Sequence, residues 1–123
     1  MKRLLLITIL TLITALSGAA AADADYTQPE SLKELLENGT GDYLFLDVRT
    51  RGEYDAGHIP GARLIPHYEL PGALPEGTEK DDLIIVYCRS GNRSGQGARA
   101  LKAAGYTNVQ DFGGIRRWPY DLE

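Results

Sequence analysis

The chain has 123 residues, 43% of them hydrophobic and 24% charged, with a formal net charge of −4. That length suits one domain with a core large enough for independent folding. A negative balance excludes a general attraction to nucleic acid or to an anionic membrane surface.

Residues 1–24 read as a targeting segment. Lys2 and Arg3 precede an apolar run from Leu4 to Leu16, and mostly small residues follow as far as Ala24. A basic start, an apolar stretch and a small-residue end form the pattern of a secretory signal peptide. Ala20-Ala21-Ala22 and Ala22-Asp23-Ala24 both satisfy the small-x-small cleavage rule. The apolar run fades into Ser, Gly and Ala before it reaches the ~20 residues a membrane span needs. The expectation is removal of residues 1–24, a mature domain over 25–123, and export, to the periplasm in a bacterium. No stable membrane association is expected after cleavage.

The mature chain alternates helical and extended patterns. TQPESLKELLENG places Pro29 at a helix start, Leu32, Leu35 and Leu36 on one face, and Gly39 as the stop. YLFLDV, residues 43–48, is a continuous apolar run of the kind found in a strand buried on both faces. Thr50 and Glu53 have capping-box spacing for a short helix ending near Gly57. ARLI, between two prolines, predicts a short second strand, and residues 66–82 predict one helical turn plus loop. LIIVY, residues 83–87, is the strongest buried-strand signal. A helix is expected from Ser94 to Ala104, then a strand over 108–112. The fold class is therefore α/β, a single domain with a mostly parallel central sheet and helices on both faces.

Cys88, the only cysteine, sits at the end of LIIVY and opens the segment CRSGNRS. In an exported protein a lone thiol cannot form an internal disulfide, so it is either inert and buried or retained for its reactivity. One Cys and two His cannot close a zinc site, and neither CxxC nor CxxCH occurs. No metal and no cofactor are expected. Sites in open α/β sheets form beyond the carboxyl ends of strands, where the next helix begins. Backbone N–H groups of the loop, the helix N-terminus, Arg89 and Arg93 all favour thiolate over thiol at that position. Gly91 and Gly95 permit backbone conformations that a side chain would block. The loop reads as a cradle for a thiolate and for a small anion attached to it.

DVRTRGEYDAGHIPGA (47–62), VYCRSGNRS (86–94) and GYTNVQDFGGIRRW (105–118), in that order, resemble a single-domain rhodanese over nearly all of residues 27–118. The resemblance implies a rhodanese-like domain acting as a sulfurtransferase. A sulfane sulfur would pass from thiosulfate or a similar small anionic donor to Cys88, then from the persulfide to a thiophilic acceptor such as cyanide or a thiol. Residue by residue, Cys88 matches the nucleophile. Arg89, Ser90, Gly91, Asn92 and Arg93 match the rest of the loop, and Ser94 offers a helix cap or a hydroxyl to the sulfur. Arg89 and Arg93 would attract the donor and stabilise departing sulfite. Asp47 and Arg49 match the family's DVR, with a structural ion pair or turn bond as the favoured role. His58 is read as structural too, because an ionised nucleophile needs no general base. Trp118 and Gly113-Gly114 read as core and turn. Some rhodanese-like domains lack the cysteine and serve as binding modules; Cys88 argues against that here.

Two alternatives use the same loop. A persulfide carrier serving a dedicated partner needs the same residues as a free-standing enzyme. A cysteine-dependent phosphatase or arsenate reductase needs one more residue between Cys and Arg than the four that separate Cys88 from Arg93. It also needs a general acid for an alcohol leaving group, and no upstream aspartate is obviously placed to serve.

Overall fold

The computed structural model describes residues 24–41 and 43–123; the signal-peptide reading falls on residues 1–24 and so lies almost wholly outside them. Helix α1 (Pro29–Asn38) begins with proline in its first turn and ends at Gly39. Strand β1 (Tyr43–Asp47) follows, then helix α2 (Arg51–Ala56) and the two-residue strand β2 (Arg63–Leu64). A 3-10 turn (His67–Glu69) and a run of loop lead to strand β3 (Leu83–Cys88). Helix α3 (Asn92–Ala103), strand β4 (Val109–Gly114) and a second 3-10 turn (Ile115–Arg117) complete the order. The capping box is present: the Thr50 side chain accepts from the Glu53 N–H, and the Glu53 carboxylate accepts from the Thr50 N–H.

The four strands form one parallel sheet in the order β2-β1-β3-β4. The chain leaves β1 toward one edge and β3 toward the other, so the winding reverses between these two strands. A crevice opens at such a reversal, outside the strands' carboxyl ends. Asp47 ends β1 and Cys88 ends β3. The sequence thus delivers its buried acid and its only thiol to the two strand ends that flank the reversal.

Every residue of β3 is buried, and alternate side chains enter opposite cores. Leu83, Ile85 and Tyr87 pack with Leu32 of α1, Phe45, Ile59, Phe112 and Trp118. Ile84, Val86 and Cys88 pack with Leu46, Val48, Ile65, Ala98 and Leu101, the last two on α3. Helices therefore cover both faces, as the continuous apolar pattern of β3 predicts.

The start of α3 differs from the sequence reading, for a local reason. Helix α3 starts at Asn92, two residues before the expected Ser94, because Gly91 adopts a left-handed φ of 101° and turns the chain directly into the helix. Ser94 consequently lies inside the first turn rather than at the cap. Gly95 also lies in the helix, so the expected backbone freedom is used only at Gly91. None of the described helices is long and apolar enough to cross a membrane.

Candidate active site

Cys88 points from the last position of β3 toward the first turn of α3 and is fully buried. The Gly91 N–H donates to its Sγ at 3.0 Å. The thiol lies 3.4 Å from the Ser94 Oγ, to which it donates, and Ser94 in turn donates to the Gly91 carbonyl at 3.1 Å. Burial opposes ionisation of Cys88. The Ser94 hydroxyl and the backbone N–H groups of Ser94, Gly91 and Ser90 outweigh it and hold the thiol below its ordinary pKa. Once the proton leaves, the Ser94 hydroxyl can turn its hydrogen to the sulfur. Ser94 is itself fully buried, so that hydroxyl has few other partners to choose from.

The loop is held in shape from β4. A register shift after Val86 sets Gly113 opposite Tyr87 and Gly114 opposite Cys88. Gly114 packs so closely that a Cβ there would stand 2.8 Å from the Arg89 carbonyl and 3.2 Å from the Ser90 Cα. That contact explains why the GG pair is glycine at its second position: the backbone of the cysteine loop rests on it. Gly113 takes a φ of 93° at the register shift, so the Gly113-Gly114 pair belongs to β4 rather than to the expected turn, while Trp118 is buried as expected.

The loop cations have different surroundings. Arg93 donates to both oxygens of Glu53, Nη1 to Oε1 at 2.6 Å and Nη2 to Oε2 at 2.8 Å. The Arg93 guanidinium beside Glu53 holds that carboxyl down to about 2, against the opposing effect of burial. Arg93 therefore reaches the site with its charge already compensated, which the sequence reading of a free anion-attracting cation did not include. Arg89 is exposed and makes no ion pair or side-chain hydrogen bond among the described residues. Ser90 and Asn92 are exposed as well; Asn92 Oδ1 accepts from Gln96 at 3.4 Å, one turn along α3.

Asp47 and Arg49 are buried together as an ion pair. Arg49 Nη2 lies 2.8 Å from Asp47 Oδ2 and donates also to the Gly57 carbonyl at 2.7 Å, while the Arg49 N–H donates to Oδ1 at 2.9 Å. The Tyr87 hydroxyl donates to Asp47 Oδ2 at 2.7 Å and accepts from the Ile59 N–H at 3.0 Å. Burial and the adjacent Asp47 carboxylate push Tyr87 far above its ordinary pKa, so it remains a donor. This network ties the end of β1, the 57–59 turn and the residue next to Cys88 into one unit. Asp47 and Arg49, the two charged residues of DVR, thus turn their polar groups to each other and to this network. His58 stacks on Tyr54 at 3.8 Å, its Nδ1 lies 2.9 Å from the Tyr54 carbonyl, and its backbone exchanges two hydrogen bonds with Glu123. Its polar contacts run to α2 and the chain's last residue, not to the thiol.

Two contributions lay outside the sequence reading. Glu53 has a visible signal in its capping-box spacing, but its second role as Arg93's partner depends on α2 and α3 meeting in space. Tyr87 reads as one more apolar strand residue, and only its hydroxyl contacts reveal the link to Asp47.

Comparison with known proteins matches residues 28–119 to the model of the rhodanese-like domain. A protein of Allochromatium vinosum named sulfurtransferase is 40% identical over 90 residues, 72% of this chain and 82% of that protein. The Escherichia coli thiosulfate sulfurtransferase PspE is 36% identical over 73 residues, 58% of this chain and 70% of its own length. Among solved structures, the Anabaena protein Alr3790 superposes with a TM-score of 0.70 at 32% identity, covering 77% of this chain and 88% of the other.

Proposed function

The chain belongs to the rhodanese-like domain family, whose relatives include sulfurtransferases, and from that premise we propose that it moves a sulfane sulfur through a persulfide on Cys88. The observation that carries this reading is the Cys88 sulfur itself, met by the Gly91 N–H at 3.0 Å and by Ser94 at 3.4 Å. The Gly91 N–H, joined by the Ser94 hydroxyl once the thiol proton has left, favours a negative sulfur, first the thiolate and then the terminal sulfur of the persulfide.

In the first half-reaction the Cys88 thiolate attacks the outer sulfur of thiosulfate. A new S–S bond forms, the sulfur–sulfur bond of thiosulfate breaks, and sulfite departs with its electron pair. In the second, an acceptor such as cyanide attacks the terminal sulfur, takes it as thiocyanate, and returns the Cys88 thiolate. No proton need be moved in either step, which agrees with His58 having its contacts elsewhere. Neither step calls for a metal or an organic cofactor. Separate half-reactions through a covalent enzyme form give ping-pong kinetics.

The loop length favours sulfur over phosphoryl chemistry. With four residues between Cys88 and Arg93, the cradle suits one added sulfur better than a tetrahedral oxyanion, whose oxygens would each need a donor at about 2.7–3.1 Å. Export is part of the same proposal and rests on the pattern from Lys2 to Ala24. It is tested by the N-terminus of the protein recovered from the periplasm, which should fall between Ala22 and Tyr26.

Steady-state turnover with thiosulfate and cyanide tests the activity. Parallel double-reciprocal lines are expected for the wild type, with no thiocyanate formed by Cys88→Ser. Intersecting lines, or turnover by the serine variant, would overturn the covalent mechanism. Turnover too slow to matter beside single-cycle transfer of sulfur would favour a carrier instead.

A further inference from the structure

A cavity of about 430 Å³ borders the cysteine loop at Arg89. Its walls come from separate parts of the chain: Arg49 and Glu53 from one side, Ile115 and Arg116 from the 3-10 turn after β4, and Leu122 near the end. Two of its charged residues are already committed. Arg49 is bound to Asp47 and to the Gly57 carbonyl, and Glu53 is bound to Arg93. The other two, Arg89 and Arg116, are exposed, and neither has an ion-pair or side-chain hydrogen-bond partner among the described residues. They are brought to the same cavity by the close seat of Gly114 on the Arg89 carbonyl, because Arg116 lies two residues after Gly114.

Two uncompensated guanidinium groups on one cavity repel each other unless an anion lies between them. Each offers a planar fork of donors suited to the oxygens of a sulfonate, thiosulfate or carboxylate group. Ile115 and Leu122 supply apolar wall, which lowers the local screening and focuses the field of the two charges. Among the described residues, no acidic side chain on the cavity is free to cancel them.

We propose that Arg116 is a positioning residue, one that acts with Arg89 to capture the anionic end of the substrate and favours anions over neutral molecules at Cys88. This rests on the reading of Cys88 as the reacting nucleophile, but not on the identity of the sulfur donor.

Alkylation of the persulfide-free protein separates the two. Iodoacetate and iodoacetamide both react by the same displacement, in which the Cys88 thiolate forms a C–S bond and iodide leaves, and they differ chiefly in charge. The ratio of their rate constants reports the potential that an incoming anion meets. Arg116→Gln should lower the iodoacetate-to-iodoacetamide ratio roughly threefold or more at low salt, with the difference shrinking as salt rises. Arg116→Lys should restore most of the ratio, and Arg63→Gln, which removes an equal charge from the exposed edge strand, should leave it unchanged. With thiosulfate, Arg116→Gln should raise KM while kcat stays within about twofold, the signature of lost substrate binding. An unchanged ratio in Arg116→Gln, an equal fall in Arg63→Gln, or a wild type that neither reagent alkylates would each overturn the proposal. Failure of the wild type to use thiosulfate, with the alkylation ratios as expected, would count against the sulfur donor and leave Arg116's role standing.

Discussion

Arg93 of the cysteine loop holds Glu53 of α2 through two parallel hydrogen bonds, at 2.6 and 2.8 Å. The same carboxylate closes the capping box at Thr50. One acid therefore starts one helix and anchors the first turn of another. Glu53→Gln keeps the shape and removes the charge, and should cost about 1 kcal/mol of stability, at the upper end for a partly exposed pair with bidentate geometry. Urea unfolding measures it as a lower midpoint at unchanged slope; an unchanged midpoint would show that the pair contributes nothing.

The pair also sets an acid dependence. The Glu53 carboxyl is held down to about 2 in the folded protein, chiefly by Arg93. A depressed carboxyl contributes stability above its unfolded value and loses it as pH falls through the folded one. The wild type should therefore lose stability relative to Glu53→Gln as pH drops from about 4.5 toward 2. Their melting temperatures should converge over that window, and a constant gap between them would contradict the assignment.

Asp47 is fully buried and accepts from Arg49 and Tyr87 at once. Asp47→Ala leaves the Arg49 guanidinium buried without its counter-charge, and breaking a buried pair in this way costs about 3–5 kcal/mol. Chemical denaturation should register most of that loss. A stability change below about 1 kcal/mol would mean the network is not a structural unit.

Gly91 joins strand chemistry to helix chemistry: its φ of 101° turns the loop, and its N–H meets the sulfur at 3.0 Å. An L side chain in left-handed backbone costs about 1–2 kcal/mol, so Gly91→Ala should relax the loop and lengthen that bond. The Cys88 thiol should then titrate higher than in the wild type, read as the pH midpoint of iodoacetamide alkylation. Ser94→Ala should move it in the same direction. A midpoint that stays put in both variants would remove the hydrogen bonds as the cause of the lowered pKa.

Much of this fold is legible along the chain because β3 is buried along its whole length and α1 and α2 carry their own punctuation. Pro29 and Gly39 mark α1, the Thr50–Glu53 spacing marks α2, and LIIVY marks β3. Cys88 stands out for a similar reason: its neighbours are cations and glycines, which do not belong in an apolar core. The sequence is less informative wherever one residue has two jobs. Arg93 looks like a free cation until α2 brings Glu53 to it. Tyr87 looks like core until its hydroxyl is seen on Asp47. Ser94 looks like a helix cap, but the left-handed turn at Gly91 moves the helix start upstream of it. Contacts between distant segments decide the first two, and no local pattern records them; the third turns on the backbone of Gly91 alone.

Intact mass reports whether Cys88 carries the transferred sulfur. Protein freed of persulfide and then treated with thiosulfate should gain the mass of one sulfur atom, located on the Cys88 peptide. Brief exposure to cyanide should return the original mass with one equivalent of thiocyanate released, and Cys88→Ser should gain nothing. A wild type that turns over thiosulfate without ever gaining that mass, or a serine variant that does gain it, would show that the sulfur does not travel on Cys88.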